Sequence, residues 1–146
     1  MNDEYNITLT DSPDPADVQI IREGLDAHSV AQGMPADWIS LTLFMRDKQG
    51  AVVGGLTGGT YWGWLSISRL WIAEHLCGQN FGSRVLAEAE REALRRGCHH
   101  AYLDTIDFQA PSFYQKHGYT VYGELQDIPI GHTRYSMQKK LEQNEG

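Results

Sequence analysis

The feature that most constrains this chain is the junction at residues 70–84, LWIAEHLCGQNFGSR, where a strand pattern passes through glycines into a helix. Residues 64–73, WLSISRLWIA, are rich in aromatic and β-branched side chains and predict the strand. Residues 83–96 have helical apolar spacing, and Gly97 is a natural stop. The apolar positions of that helix are Val85, Leu86, Ala89 and Ala93. Backbone N–H groups converge at such a helix start, so the junction predicts a pyrophosphate site.

A change of period predicts an antiparallel hairpin ahead of this junction. Residues 39–46 alternate apolar and polar side chains, a turn follows at Asp47–Gly50, and residues 51–61 are again extended. The second strand contains the pairs Gly54-Gly55 and Gly58-Gly59. No lysine follows them at the spacing of a phosphate loop, so we interpret them as bulges or close packing within a strand.

The N-terminal residues predict one strand and one helix. Residues 5–10, YNITLT, have the composition of a strand. Residues 12–15 supply a capping side chain and a proline suited to the first helical turn. The apolar stripe of that helix consists of Val18, Ile21 and Leu25. Residues 33–35 interrupt the pattern, so either a second short helical piece or a loop follows.

The remaining elements complete an α+β layered chain. We expect a strand near 100–105, a short helix near 111–117, and strands near 119–125 and 133–140. The predicted order is β-α-(α)-β-β-β-α-β-α-β-β, a mixed and mostly antiparallel sheet flanked by helices. No repeat or linker divides the chain, so residues 1–146 are expected to form a single domain.

Charge and hydropathy exclude several classes of protein. Twelve Lys and Arg against nineteen Asp and Glu give a net charge of −7, which argues against nucleic acid as a partner and favours a cationic one. No apolar run approaches the roughly 20 residues that span a bilayer, so no membrane association is expected. The acidic N-terminus is unlike a signal peptide, and we therefore expect a cytoplasmic protein.

The cysteines and histidines predict neither a disulfide nor a metal site. Cys77 and Cys98 flank a helix that is on the order of 20 Å long. A disulfide requires Cα atoms within roughly 7 Å, so the two thiols should be free. His99 and His100 are adjacent on a strand and point to opposite faces, which prevents them from sharing one ion.

A second motif follows the strand predicted near 100–105. Residues 110–119, APSFYQKHGY, form a short helix closed by glycine and followed by an aromatic residue. Together the two segments resemble the GNAT superfamily of N-acetyltransferases. Residues 77–82 resemble its acetyl-CoA loop, [RQ]-x-x-G-x-[GA], and residues 110–119 resemble its A-x-x-[FL]-Y-x-x-x-G-[FY] motif. The resemblance covers nearly the whole chain and implies a GNAT-like fold, acetyl-CoA as cosubstrate and an amine acceptor.

The resemblance also implies which residues contact the cofactor. The strand before the loop would bind the pantetheine arm through its free backbone groups, and the loop would surround the pyrophosphate. The implied cofactor-binding residues are Trp71, Ile72, Cys77, Gly78, Gln79, Asn80, Phe81, Gly82, Ser83, Asp107, Tyr114 and Lys116. The chain departs from the family pattern at Cys77 (usually Arg or Gln), Asn80 (usually Gly) and Asp107 (often Asn). Asn tolerates left-handed backbone angles, so the second departure is mild.

Acetyl transfer to an amine needs two proton transfers. Tyr114 matches the family tyrosine that protonates the departing thiolate, and a phenol of pKa about 10 can protonate the thiolate of a thiol with pKa near 8.5. Lys116 is expected either to pair with the cofactor 3′-phosphate or to be simply solvated. An alkylammonium of pKa about 10.4 must lose its proton before attack. The candidates for that base are Glu74, His75, Asp104 and Glu124.

We expect the acceptor to be a primary amine of a small molecule or of a protein. Tyr61, Trp62 and Trp64 precede the cofactor strand, and this aromatic wall suits an amine through cation–π contact. Residues 129–135 border the same cleft in the family. The alternative is that these aromatic residues fill the core or the seam of a homodimer. Two rival functions stay open: a catalytically degenerate GNAT domain acting as a CoA-binding sensor or scaffold, and a module that binds another ligand.

Overall fold

The computed structural model of the chain describes residues 4–142. It divides into two compact units, Met1–Ala36 and Asp37–Gly146. The first unit contains one helix, α1 (Pro15–Ala31). This helix begins where the side chain of Asp14 accepts a hydrogen bond of 2.9 Å from the N–H of Ala16, with proline in the first turn as predicted.

The predicted N-terminal strand is wrong. Residues 5–10 adopt irregular chain, and no β-ladder in the described residues includes them. A favourable composition does not make a strand unless a neighbouring strand accepts and donates its backbone hydrogen bonds. Residues 34–38 form a loop, which was one of the two alternatives predicted for the segment after α1.

The second unit is built on one six-stranded sheet. Its strands are β1 (Ile39–Arg46), β2 (Val52–Tyr61), β3 (Trp64–Ile72), β4 (His100–Ile106), β5 (Thr120–Gln126) and β6 (Thr133–Lys140). Their spatial order is β1-β2-β3-β4-β6-β5, and the β3–β4 pair alone is parallel among the described strands. The predicted fold class, a mostly antiparallel sheet flanked by helices, is confirmed.

Two helices connect the strands around the parallel pair. Helix α2 (Phe81–Arg95) joins β3 to β4, and helix α3 (Pro111–Lys116) joins β4 to β5. A single 3₁₀ turn at Glu74–Leu76 precedes α2. Helix α2 starts two residues before the predicted boundary, because its first backbone hydrogen bond runs from the N–H of Arg84 to the carbonyl of Asn80.

The core of this unit lies between α2 and one face of the sheet, which we call the α2 face. Alternate residues of each strand point into it, as the two-residue period requires. The strand residues buried there include Leu41, Leu56, Leu65, Ile67, Ala101, Leu103 and Met137. Leu86, Ala89 and Ala93 of α2 cover them, and all three were predicted to face inwards.

The other face of the sheet, which we call the opposite face, carries the intervening residues. In β4 these are Tyr102 and Asp104, which alternate with buried Ala101, Leu103 and Thr105. In β2 a Cβ on Gly59 would overlap the indole ring of Trp38. The close packing predicted for these glycines is therefore confirmed at Gly59.

Within residues 4–142, no helix is long and apolar enough to cross a bilayer. Both cysteines are free, as predicted, with Cys77 exposed and Cys98 buried.

Candidate active site

Strands β3 and β4 separate after a short stretch of pairing. Their ladder contains Trp64–His100, Leu65–Ala101 and Ser66–Tyr102, and it ends there. Residues 67–72 of β3 continue to pair with β2 on the other side. The backbone groups of β3 that point towards β4 therefore have no ladder partner beyond Ser66. An extended ligand with amide groups can hydrogen-bond to such an edge as an additional strand would.

A β-bulge lies just inside this opening. Thr57 of β2 pairs with Arg69, whereas the next residue, Gly58, pairs with Ile67, so Ser68 is the extra residue of β3. A bulge bends its strand and increases the local twist. Here it occurs two residues after the last β3–β4 pair, where the two strands diverge.

The loop that follows β3 presents backbone N–H groups at the start of α2. Gly78 and Asn80 both adopt left-handed conformations, with φ of 82° and 73°. Asn80 therefore adopts the left-handed backbone conformation that asparagine was predicted to tolerate. The Asn80 side chain makes no capping hydrogen bond, and the helix ladder begins only at Arg84. The N–H groups of residues 81–83 thus remain available to an anion, reinforced by the helix dipole.

Cys77 directs its thiol back towards β3. Its Sγ lies 3.6 Å from the carbonyl oxygens of both Ile72 and Ala73. A thiol at this position is a weak donor to backbone carbonyls and offers no charge to a phosphate. To bind an anion, the loop therefore offers its backbone N–H groups rather than the side chain at position 77.

Gly82 connects the loop to α3 by packing. A Cβ on Gly82 would lie 3.4 Å from the ring of Phe113 and 3.9 Å from Ile72. The missing Cβ of Gly82 points to Phe113, at an ordinary contact distance, so the first turn of α2 and α3 lie side by side here.

Tyr114 lies next to Phe113 on the α2 face. Its ring is buried and packs edge-on against Phe113 and Tyr119, with centroids 5.2 and 5.8 Å apart. Burial raises the pKa of its phenol above the ordinary value of 10.0. Among residues 4–142, no hydrogen-bond partner of the Tyr114 hydroxyl is found. The phenol is therefore protonated, and no acceptor in the described part of the chain holds its proton.

Comparison with known proteins identifies the family. The model of the Acetyltransferase (GNAT) family matches residues 12–119. The chain belongs to the GNAT acetyltransferase family. It is 34% identical over 136 residues to Acetyltransferase Atu2258 of Agrobacterium fabrum, covering 93% of this chain and 99% of that protein. The resemblance drawn from residues 77–82 and 110–119 is confirmed.

Two further acetyltransferases are similar to the chain. Blasticidin-S acetyltransferase of Streptomyces morookaense is 39% identical over 95 residues, which are 64% of this chain and 70% of that protein. The crystal structure of an acetyltransferase from Bacillus cereus superposes with a TM-score of 0.81 at 30% identity, covering 92% and 98% of the two chains. The protein is an N-acetyltransferase, and acetyl-CoA is its cosubstrate.

The GNAT fold brings the two predicted motifs together. Ser83 Oγ and His117 Nε2 are hydrogen-bonded at 2.9 Å, which links the first turn of α2 to the end of α3. His117 was not among the predicted site residues, since its sequence position alone gave no sign of this partner. Lys116, the last residue of α3, is exposed. Its role towards the cofactor stays a prediction.

The carboxylate of Asp107 is hydrogen-bonded to residues at the start of β6 and in the loop before it. Its carboxylate accepts hydrogen bonds from the N–H of Thr133 at 2.9 Å and from Nδ1 of His132 at 2.7 Å. These bonds, the Thr133 one first, lower the pKa of Asp107 below its ordinary value. This arrangement explains why an acid is suited to the position. Contact of Asp107 with the cofactor stays a prediction.

The four base candidates occupy three different places. Asp104 lies on β4 and accepts hydrogen bonds from Arg134 at 2.8 Å and Ser136 at 2.6 Å. Glu124 lies on the edge strand β5, two strands from β4. Glu74 and His75 are exposed in the 3₁₀ turn beyond β3. Asp104 is two residues beyond Tyr102, and Ser68 is two residues beyond Ser66. Because Ser66 and Tyr102 are paired, Asp104 lies level with the bulge at Ser68.

The predicted aromatic wall is part of a larger cluster on the opposite face. Tyr61, Trp62 and Trp64 line a cavity of about 460 Å³ with Tyr102, Tyr122 and Gln138. Tyr102 and Tyr122 were missed, because the sequence does not show that β4 and β5 bring them beside the β2–β3 hairpin. Residues 129–135 do not line this cavity. A hydrogen bond of 2.5 Å joins the hydroxyls of Tyr61 and Tyr102, and together with burial it raises the pKa of Tyr61 to about 12.

Proposed function

We propose that this enzyme transfers the acetyl group to a primary amine of a small molecule, by direct attack in a ternary complex held between β3 and β4. The separation of these strands after Ser66–Tyr102 carries the proposal, because it exposes both a strand edge and a route through the sheet. The relative named Blasticidin-S acetyltransferase, 39% identical over 95 residues, supports a small-molecule acceptor over a protein one.

In this proposal the cofactor lies along β3 and ends at the start of α2. The pantetheine amides bind the free edge of β3 near Trp71 and Ile72, and the pyrophosphate binds the loop of residues 77–83. The left-handed residues Gly78 and Asn80 support this placement, since they shape a loop that ends in unpaired N–H groups. The thioester then reaches the bulge at Ser68, and a β3 backbone N–H stabilises the developing oxyanion.

We propose Asp104 as the general base, acting through water. It lies level with Ser68 and on the opposite face of the sheet, whereas Glu124 lies two strands away on β5, and Glu74 and His75 lie in the turn beyond β3. The ammonium group of the acceptor first gives its proton through the water to Asp104, and the neutral nitrogen then attacks the carbonyl carbon. Arg134 and Ser136 hold the Asp104 carboxylate in place.

Tyr114 is the proposed general acid. The carbon–sulfur bond breaks as the tetrahedral intermediate collapses, and the phenol protonates the departing thiolate. Tyr114 lies on the α2 face and Asp104 on the opposite face. The incoming amine and the outgoing thiol are thereby kept on separate sides of the sheet.

The same proposal covers the domain organisation, the location and the assembly of the protein. We take residues 1–146 as one functional domain, since the family match at residues 12–119 extends across both compact units. We place the protein in the cytoplasm, where acetyl-CoA is available. Assembly as a homodimer is compatible with the proposal and is not required by it.

A screen of primary amines with acetyl-CoA, measuring thiol release, tests the proposed function. The wild-type chain should release thiol with a subset of small amines and should not do so without an acceptor. Binding of acetyl-CoA without thiol release from any amine or protein acceptor would contradict it and favour a CoA sensor. A parallel titration of acetyl-CoA by calorimetry separates that result from loss of cofactor binding.

A further inference from the structure

Five aromatic side chains form a cage beside the proposed reaction site. The aromatic cage comprises Tyr61, Trp62, Trp64, Tyr102 and Tyr122, which with the amide of Gln138 line an open cavity of about 460 Å³. The rings of Trp64 and Tyr102 meet edge-on at 5.8 Å, and those of Tyr61 and Trp62 are 5.7 Å apart. Trp62 and Tyr122 remain 52% and 55% exposed, so two large aromatic surfaces face the cavity mouth unburied.

The backbone holds Trp62 in an unfavourable conformation. Trp62 and Gly63 form the turn between β2 and β3, with φ of 47° and 82°. Such turns favour Asn-Gly or Asp-Gly, because a bulky residue at positive φ is strained. The carboxylate of Asp37 fixes the turn by accepting a 2.8 Å hydrogen bond from the N–H of Trp62. Strain kept at an exposed aromatic residue indicates a function for its ring.

The chemistry of the cage favours a positive charge. None of its six lining residues is acidic, basic or histidine, so an incoming cation meets aromatic faces and phenol oxygens rather than a competing ammonium. Acidic groups lie close by, at Asp37 on the Trp62 turn and at Asp104 two residues beyond Tyr102. His100 stacks on Trp64 with ring centroids 4.6 Å apart and does not line the cavity. The net charge of −7 adds a field that attracts cations.

We propose that the aromatic cage binds a second, positively charged nitrogen of the acceptor, so that the substrate class is a molecule with at least two basic nitrogens. The inference rests on the proposed function. A cation–π cage stabilises the protonated form of whatever nitrogen it holds. The nitrogen that attacks the thioester must be neutral, so the caged nitrogen is a different one.

The strand geometry sets the separation of the two nitrogens. Tyr102 belongs to the last β3–β4 pair, and Asp104 follows it by two residues on the same face. Two residues of a strand span about 7 Å. A basic group in the cage is therefore separated from an amine near Asp104 by a distance of that order.

Binding of tetramethylammonium tests the cage without any catalytic step. We expect calorimetry to show that tetramethylammonium chloride binds the wild-type protein at least several-fold more tightly than tert-butanol, its neutral isostere, with sodium chloride as the ionic-strength control. Trp62→Asn should weaken that binding about 5-fold, the loss of one aromatic face. This variant should keep its fold, because Asn-Gly is a favoured pair for this turn.

Two further variants complete the binding test. Tyr122→Leu removes a second exposed face of the cage and should weaken tetramethylammonium binding by a similar factor. Phe44→Leu removes an equally exposed aromatic ring of β1 that lies outside the cage, and it should leave the binding unchanged. Equal affinity for tetramethylammonium and tert-butanol, or equal losses in all three variants, would overturn the proposal.

Kinetics then relate the cage to the reaction. With acetyl-CoA, the ratio of kcat/KM for linear diamines to that for alkyl monoamines of the same length should exceed about 2, the statistical factor for two equivalent amines, and it should fall in Trp62→Asn. Diamines too short to span about 7 Å should not exceed that factor. A wild-type ratio of about 2 or less would overturn the inference while leaving the proposed acetyl transfer standing. Absence of thiol release from every amine would instead contradict the proposed function.

Discussion

The position that a Cβ on Gly82 would take lies 3.4 Å from the phenyl ring of Phe113, an ordinary van der Waals contact. Gly82 is in the first turn of α2, and Phe113 precedes Tyr114 on α3. Gly82, in the loop proposed to bind the cofactor, therefore lies beside the residue that precedes the proposed general acid. The Ser83–His117 hydrogen bond of 2.9 Å joins the same two helices.

Substitutions at Gly82 should have different effects that depend on the size of the added side chain. Gly82→Ala adds a Cβ at ordinary contact distance and removes a helix glycine, so we expect a free energy of unfolding unchanged or raised by up to about 1 kcal/mol. Gly82→Val adds branched methyl groups against Phe113 and Ile72, and it should displace α3. We expect weaker acetyl-CoA binding and slower turnover together in Gly82→Val. Calorimetry and thiol release would show this, and full activity in the valine variant would contradict the packing account.

Glu90 should be a strong stabilising residue on the α2 side. Its carboxylate accepts hydrogen bonds from the Tyr119 hydroxyl at 2.8 Å and from Lys139 Nζ at 2.7 Å. The Lys139 and Glu90 side chains are only 24% and 15% exposed, so Glu90→Ala leaves an ammonium group poorly compensated. We expect a loss of about 2 kcal/mol in urea unfolding. Glu88→Ala, which removes an exposed pair with Arg91, is the matched control and should cost at most about 0.5 kcal/mol.

Asp104→Asn tests the proposed base. The amide is similar in shape and keeps an oxygen for Ser136, but it cannot accept a proton from water. We expect kcat to fall by about 10²-fold at neutral pH with little change in acetyl-CoA affinity. Raising the pH should restore part of the rate, since more of the acceptor amine is then already neutral. The same loss at every pH, with a lowered melting temperature, would indicate a structural role instead.

Alkaline pH should destabilise the fold through its tyrosines. Burial raises the pKa of Tyr119 and Tyr114, and the Tyr102 hydrogen bond raises that of Tyr61 to about 12. Unfolded tyrosines lose their protons near pH 10, so stability present below that value declines as the pH rises towards 12. Urea unfolding at pH 8 to 11 should show this decline. Tyr119→Phe should reduce its slope, and an unchanged slope would contradict the assignment.

The parts of the fold that local pattern determines were predictable. Period-two alternation gave β1, and the helical spacing around Leu86 gave α2, because each pattern directly reflects which side chains are buried. The turn after β1 gave its hairpin partner β2. The strand predicted at residues 5–10 failed because its composition says nothing about a partner. The same limitation applies to the divergence after Ser66–Tyr102, which is a property of two strands separated by a helix.

The candidate site was predictable where its residues lie within one continuous segment of the sequence. Residues 77–83 and Tyr114 lie in motifs whose spacing is visible in the chain. Tyr102 and Tyr122 were not predictable, because they come beside Tyr61 only through the strand order of the sheet. The pairing of Asp107 with His132 depends in the same way on a contact between distant loops.

Tyr114 carries the central claim, and Tyr114→Phe tests it most directly. The change removes one oxygen that has no hydrogen-bond partner among residues 4–142, so the melting temperature and acetyl-CoA affinity should stay close to wild type. Turnover should fall by about 10²- to 10⁴-fold, as for a lost general acid. The decisive measurement is kcat for thiol release by both proteins with the same amine, beside the acetyl-CoA dissociation constant from calorimetry. A large fall in kcat at unchanged affinity is the predicted result, and wild-type kcat in Tyr114→Phe would contradict the account.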